Sequence, residues 1–392
     1  MSRSNSEQPP LWSRPYVLAI GANLCIVTAV SMLMITLPLY VLELGGSGVM
    51  SGMVVGVYAF SALLCRPLTG KLSDVRGRRP VMIGGILLLI TAFLFMQLAV
   101  SVPLLLAVRI IQGVGFSAHS TAAGTVIADV VPSSRLTEGI GYYGVSNTLP
   151  TAFGPPLGLY LIAEHSYNLL FGTAAVCAVI GLLLALPIRY KLVKKTYNND
   201  EKLSIFEGTA VFPGLVMFFI TLGLGGIMTF LPQYAAERRI EGIGLYFTVY
   251  ACALLLSRLF SGRLADRRGS RTVMVPGLVL IAGSFVLLGF AGSLPLTLLS
   301  ALMFGIGFGS VQPAMNALAV RRVLPERRGA ASALFTASMD LGMGTGSILW
   351  GAISQKHGFT TVYLICAGCA AVSAGVYMFL ISRKQHGAVS RQ

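Results

Sequence analysis

Gly70–Met82, GKLSDVRGRRPVM, is a short run of charge set between two apolar segments, and it occurs a second time as Gly262–Met274, GRLADRRGSRTVM. The copies lie 192 residues apart (262 minus 70), and extending them back to Leu63 and Leu255 gives 11 identities in 20 aligned positions. Shared hydrophobicity alone does not produce that many matches, so the chain reads as two related halves. In each copy a Gly ends the apolar run, Asp74 or Asp266 follows four residues later, Gly77 or Gly269 three after that, and basic residues flank the turn. An acid enclosed by arginines can accept hydrogen bonds from backbone N–H groups at a neighbouring helix N-terminus, where the dipole favours negative charge. Such a clamp can form and break. A merely basic topogenic loop is the simpler alternative, and two copies at equivalent places count against it.

The chain around these runs is 55% hydrophobic and 11% charged, with a mean hydropathy of +0.78. A soluble domain carries about 25% charged residues, so the composition indicates a polytopic membrane protein. The formal charge of +15 is no sign of nucleic-acid binding, because basic residues in short links between apolar spans have a simpler cause: they are retained on the cytoplasmic side during insertion. The apolar run after the polar segment Met1 to Tyr16 continues to about Tyr40 without a small-residue cleavage site. It reads as a first span and not as a removed signal peptide. The six Cys fall in or at the ends of apolar runs, with no His or further Cys spaced to complete a metal site.

A span needs roughly 20 apolar residues, and on that length the sequence divides into twelve. The first half gives 16–40, 50–70, 80–100, 104–127, 137–162 and 168–188; the second gives 210–234, 243–262, 273–292, 296–320, 329–354 and 360–381. The domain reading follows: a tail 1–15, a first bundle 16–188, a polar linker 189–209, a second bundle 210–381 and a tail 382–392. With the N-terminus inside, the tails and cytoplasmic loops hold 23 of the 29 Lys and Arg, the opposite loops hold three, and three lie within spans. Both termini and the linker are therefore expected in the cytoplasm, in a cell (inner or plasma) membrane.

Twelve spans in two similar halves, with GxLaDrxGr-type runs between spans 2 and 3 and between 8 and 9, resemble the major facilitator superfamily over essentially the whole chain. The resemblance implies an all-α membrane protein with two pseudo-symmetric six-helix bundles that rock about a central cavity. It also implies a conformational latch formed by Gly70, Asp74, Gly77 and Arg78, with Asp74 docked on the cytoplasmic end of the eleventh span and Arg78 paired to Asp129. In the second copy Asp266 and Gly269 recur, but Ser270 stands at the position of Arg78 and Arg321 at that of Asp129, so this latch is expected to be weaker. The run RIIQGVG with Arg109 resembles the family's motif B, whose Arg is implicated in proton coupling. Gly154, Pro155 and Gly158, in GPPLG, resemble its motif C, associated with proton-coupled exporters, although Pro150 stands where a Gly is usual.

Other candidates follow from the residues themselves. A charge within a span usually faces water or a partner. Arg109 shares a helical face with Gln112, and its counterpart in the second half is Ala301, whereas Gly113, Gly115 and Phe116 recur as Gly305, Gly307 and Phe308. The shared glycines read as packing and the unshared Arg as function. Asp340 lies about halfway along its span with no basic neighbour within two turns. It must face a cavity, pair across helices or stay protonated, which makes it a candidate proton carrier or a site for a cationic group. His119 is titratable near neutral pH, on a face roughly 80° from that of Arg109. Asn23, Tyr143, Asn147, Gln312 and Asn316 are candidate cavity linings. Arg66 and Arg258, at equivalent places one turn before the motif glycines, read as topological residues that snorkel to the surface.

No GxxxxGK[ST], HExxH or GxSxG stretch occurs, so neither direct ATP use nor an enzyme is indicated, and no cofactor or metal is expected. The reading is a monomeric drug:proton antiporter whose partners are protons, a small amphipathic substrate and the lipid bilayer. The stretches around Arg109 and Asp340 are also similar to staphylopine-type metallophore exporters, for whose multi-carboxylate cargo Arg109 and His119 would be partners. Sugar efflux, a non-transporting sensor and a uniport or import facilitator, which the GPPLG run disfavours, are the remaining alternatives.

Overall fold

The computed structural model describes residues 11–132, 135–188, 208–320, 323 and 328–389; side chains at 74, 136, 137, 263, 266, 328–330 and 380–389 lie outside the described set. Most of the linker 189–209 and the outer parts of both tails therefore fall outside the described residues, as do Arg321 and the side chains of Asp74 and Asp266.

The first half is α1 (Arg14–Glu43), α2 (Gly48–Arg76), α3 (Arg78–Met96), α4 (Val102–Val130), α5 (Leu136–Glu164) and α6 (Tyr167–Ala185). The second is α7 (Val211–Glu237), α8 (Gly244–Arg268), α9 (Arg271–Phe290), α10 (Leu294–Val320) and α11 (Arg328–Val389). Among the described residues there is no strand. Ten of these helices are long and apolar enough to cross a membrane. The exception is α5, whose 29 residues include Pro150, Pro155 and Pro156 and the polar Asn147. The helix α11 is broken at Gly358, whose φ of 74° and ψ of 169° are not helical.

The duplicated run differs from the expected loop. α2 continues through Gly70 to Arg76, α3 starts at Arg78, and the connection is Gly77 alone, at φ 93° and ψ 151°. Gly269 repeats this at φ 88° and ψ 151° between α8 and α9. That backbone region is open to Gly and costly to residues with a Cβ, so Gly77 and Gly269 make the turns. Gly70 and Gly262 are ordinary helical residues with open space around them.

Each half has its own core, one built on residues such as Ile26, Ile86, Phe93 and Phe171, the other on Phe230, Phe285, Phe304 and Tyr363. The offset of 192 seen in the sequence relates contacts as well. Gly113 of α4 presses on the Tyr58 carbonyl of α2, and Gly305 of α10 presses on the Tyr250 carbonyl of α8. Gly115 meets the Gly85 carbonyl of α3, and Gly307 meets the Gly277 carbonyl of α9. In lipid, helices gain little from apolar burial against one another, so small residues that admit close approach decide which faces pack.

The halves meet chiefly along α2 with α11 and α5 with α8, which the same offset interchanges, and α1 also meets α7. A Cβ at Gly52 would overlap the Ser347 carbonyl oxygen, and Gly351 closes on the Gly48 carbonyl. In the other interface Gly244 packs on Pro156 and Thr248 donates to the Ala152 carbonyl at 2.7 Å. Both glycine-lined contacts lie at the end that carries the α1–α2 and α7–α8 connections. Gly52→Val is expected to destabilise the chain by about 1–3 kcal/mol through overpacking, read as a lower Tm in detergent, and to raise the labelling rate of a cysteine placed at Ile348. An unchanged labelling rate would show that this contact does not hold the halves together.

Candidate functional site

Polar side chains within the helices collect in three groups. The first surrounds Arg109, which is 0% exposed. Its Nε donates to the Val54 carbonyl at 2.6 Å, its Nη1 to Gln112 Oε1 at 2.6 Å, and its Nη2 points at Met34 Sδ at 3.8 Å. The guanidinium carbon lies 4.4 Å from the centroid of the Tyr58 ring, a cation–π arrangement that offsets part of the cost of a buried charge. All these partners belong to α1, α2 and α4, so Arg109 ties three helices of the first half together.

The second group joins α1, α4 and α5. His119 Nε2 lies 3.3 Å from Asn23 Oδ1, and Asn23 Nδ2 donates to Ser146 Oγ at 2.9 Å and to Asn147 Oδ1 at 3.2 Å. Asn147 Nδ2 donates to the Tyr143 carbonyl at 2.9 Å. Asn23 and His119 are both 0% exposed, and His119 Nδ1 has no partner among the described residues. Four candidates scattered over 125 residues of sequence thus form one network, separate from that of Arg109. Ten residues of α4, about 15 Å of rise, together with the difference in helical face, account for the separation.

The third group lies between the halves. Arg66 Nε donates to Asp340 Oδ2 at 3.0 Å, and its Nη2 lies 2.8 Å from the same oxygen. The side chains remain 26% and 20% exposed, so water reaches the pair. In the other interface Arg258 Nη1 donates to Thr148 Oγ1 at 3.1 Å and Nη2 to Gln312 Oε1 at 2.8 Å. Asn316, one turn beyond Gln312 on α10, has its Oδ1 buried without a partner among the described residues.

The partner of Asp340 could not be read from its own helix, because it comes from 274 residues away. The signal that could have found it is the duplication itself: Arg66 and Arg258 are the two cations that the halves share inside spans. At the ends of α3 and α4, Arg78 and Asp129 form an ion pair, which joins two helices of the same half. Gly154 and Gly158 of α5 press on Ser31 and on the Met32 carbonyl of α1, so the GPPLG run makes the close bundle contact that its glycines permit. No group of three or more His, Cys, Asp or Glu side chains able to hold a metal occurs among the described residues.

A helical membrane chain with two equivalent halves and an ion pair between them can now be compared with known proteins. The model of the Major Facilitator Superfamily matches residues 19–242 and 214–392. The chain is 29% identical over 381 residues to the uncharacterized MFS-type transporter YhhS of Escherichia coli (strain K12), covering 92% of this chain and 93% of that one. It is also 29% identical over 393 residues to an uncharacterized MFS-type transporter of Burkholderia mallei (strain SAVP1), covering 93% and 94%. Among solved structures it shares its fold with the human organic anion transporter MFSD10, at a TM-score of 0.72 and 19% identity over 94% of this chain and 100% of that one. The nucleoside transporter NupG matches with a TM-score of 0.77 and 16% identity over 93% and 99%. The family match spans nearly all of the chain in two overlapping segments, so the chain belongs to the Major Facilitator Superfamily and is a multi-pass membrane transporter.

Proposed function

We propose that the chain is a secondary active exporter that exchanges protons for a small amphipathic molecule by alternating access. The observation that carries this reading is the Arg66–Asp340 pair, which bridges α2 and α11 across the two halves while remaining partly open to water. A carboxylate holds the bridge and a carboxylic acid does not. Protonation of Asp340 therefore removes an attraction between the halves, and a transported molecule that replaces another contact between them acts on the same equilibrium. Two ligands that bias one equilibrium between arrangements of the halves are thereby coupled, as an exchanger needs.

The topology supports an orientation in the membrane. At 1.5 Å per residue the 62 residues of α11 reach about 93 Å, some three times the hydrocarbon thickness, so the break at Gly358 divides α11 into two spans. With α5 counted, twelve spans result, and the termini share one side of a cell membrane. The Lys and Arg distribution assigns that side to the cytoplasm. The glycine-lined contacts then close the outer end, leaving the Arg66–Asp340 pair accessible from within. Arg78 and Asp129, with Asp74 and Gly77, act as the latch at the cytoplasmic end, and Gly154 to Gly158 hold α5 on α1 while α5 moves against α8. Arg109 and the Asn23–His119 network fix the interior of the first half.

Uptake of amphipathic fluorescent dyes, cationic and anionic, into inverted membrane vesicles with an acid interior tests this reading. Accumulation of at least one dye is expected to collapse with a protonophore and to fall at least tenfold in Asp340→Asn. Accumulation that persists with the protonophore would show that transport is not coupled to protons. A double-mutant cycle on Arg66→Gln and Asp340→Asn, scored by thermal stability, is expected to give a coupling of about 1–3 kcal/mol; additivity would remove the bridge from the mechanism.

A further inference from the structure

The repeat that relates the halves makes one missing charge visible. Adding 192 to Arg66 gives Arg258, and subtracting 192 from Asp340 gives Thr148. The contact between Arg258 and Thr148 is thus the equivalent, across the α5–α8 interface, of the ion pair between Arg66 and Asp340 across the α2–α11 interface. The guanidinium is kept and the carboxylate is not. In the first interface Nε and Nη2 of Arg66 converge on Asp340 Oδ2. In the second, Arg258 has only the neutral oxygens of Thr148 and Gln312 as acceptors, and its Nε is buried without a partner among the described residues.

The cations in the interior of the spans are Arg66, Arg109 and Arg258, and the acid among them is Asp340. Arg66 is balanced by Asp340. Arg109 is sealed against Val54, Gln112 and the Tyr58 ring within the first half. Arg258 remains: half-buried, at the interface between the halves, with neutral neighbours. An ionised side chain held at membrane depth without a counter-charge is costly and is retained where it has a functional partner. A guanidinium with an unmet Nε donor matches a carboxylate, which accepts from Nε and Nη together. The second half is also built differently here. Gln312 and Asn316 stand where the repeat has Ser120 and Gly124; Gln312 accepts from Arg258, and Asn316 lies one turn further along α10.

We propose that Arg258, with Gln312 and Thr148, binds the carboxylate of the transported molecule, so that the substrate class is an amphipathic organic anion. The carboxylate supplies in trans the charge that Asp340 supplies to Arg66. Because Arg258 reaches Thr148 across the α5–α8 interface, the anion engages it when these helices part, and in doing so it replaces an inter-half contact. The inference rests on the exporter reading for what the site is used for, but binding itself needs no gradient.

Purified full-length chain in nanodiscs is melted with salicylate, octanoate or citrate, and with salicylamide or octanamide as uncharged controls. At least one carboxylate is expected to raise the Tm of the wild type and its amide to leave it unchanged. Arg258→Gln is expected to weaken that carboxylate at least tenfold. Thr148→Asp, which places beside Arg258 the acid that the other interface already has, is expected to weaken it as strongly while keeping the ligand-free Tm at or above that of the wild type. The inference is overturned if no carboxylate shifts the wild type, or if the shift persists in either folded variant. Proton-independent uptake in vesicles would remove the coupling mechanism and leave this result standing. Absence of carboxylate binding would leave proton coupling standing with another cargo.

Discussion

Close approach between helix backbones, made possible by glycine, is the constraint on which this architecture depends. Inside a bilayer an apolar face gains nothing by leaving lipid for another apolar face, so packing has to come from contact distance and from polar atoms. Gly113 on the Tyr58 carbonyl and Gly305 on the Tyr250 carbonyl are the same contact made twice. The bundles are therefore similar because their small residues recur at one offset, as do some of the large ones, such as Tyr58 and Tyr250 or Phe93 and Phe285. Gly115 and Gly307 add the crossings with α3 and α9 in the same way, which fixes three helices of each half relative to one another.

Within that repeated frame, differences between the halves acquire meaning. An Arg at 109 and an Ala at 301 occupy equivalent places, and the Arg serves only its own half. An Asp at 340 and a Thr at 148 also occupy equivalent places, and both are approached by an Arg of the opposite half. Interfaces at equivalent places with unequal charge respond differently to a proton: the α2–α11 interface loses its ion pair, and the α5–α8 contact between Arg258 and Thr148 has none to lose.

The division into halves, the approximate course of the spans and the superfamily were legible in the sequence, because all three rest on periodic hydrophobicity and on a motif with unusual residues. Helix ends were less so. The sequence closes the second span at Gly70, whereas α2 runs on to Arg76, since charged residues at a membrane surface continue a helix as readily as they end one. Candidate site residues were legible as residue types and only partly as groupings. Asn23, His119, Tyr143 and Asn147 do come together, but Arg109 and Asp340 do not, and Arg66 and Arg258 looked like surface cations. A guanidinium one turn before the expected end of a span can snorkel outward, but α2 and α8 continue to Arg76 and Arg268, and each Arg instead reaches what the facing helix presents. Asp340 and Thr148 are those groups, and neither is near its partner in sequence.

In the proposed exchange the charged contact can bias a movement that the more extensive glycine contacts cannot. Backbone-to-glycine packing has no protonation state and no affinity for a solute, so it contributes equally whether or not a proton or cargo is present. A factor common to both states shifts no population. Only a contact whose strength changes with occupancy can bias the equilibrium between arrangements of the halves, and a bias of about 1–3 kcal/mol, or 5- to 150-fold, is of the size that coupling between sites usually takes. The Arg66–Asp340 bridge lies at the inner limit of the close contacts along α2, where water still reaches it. In the proposed exchange its loss would favour a separation of the halves at the end opposite the glycine-lined contacts, so a small electrostatic change would act on a large unit.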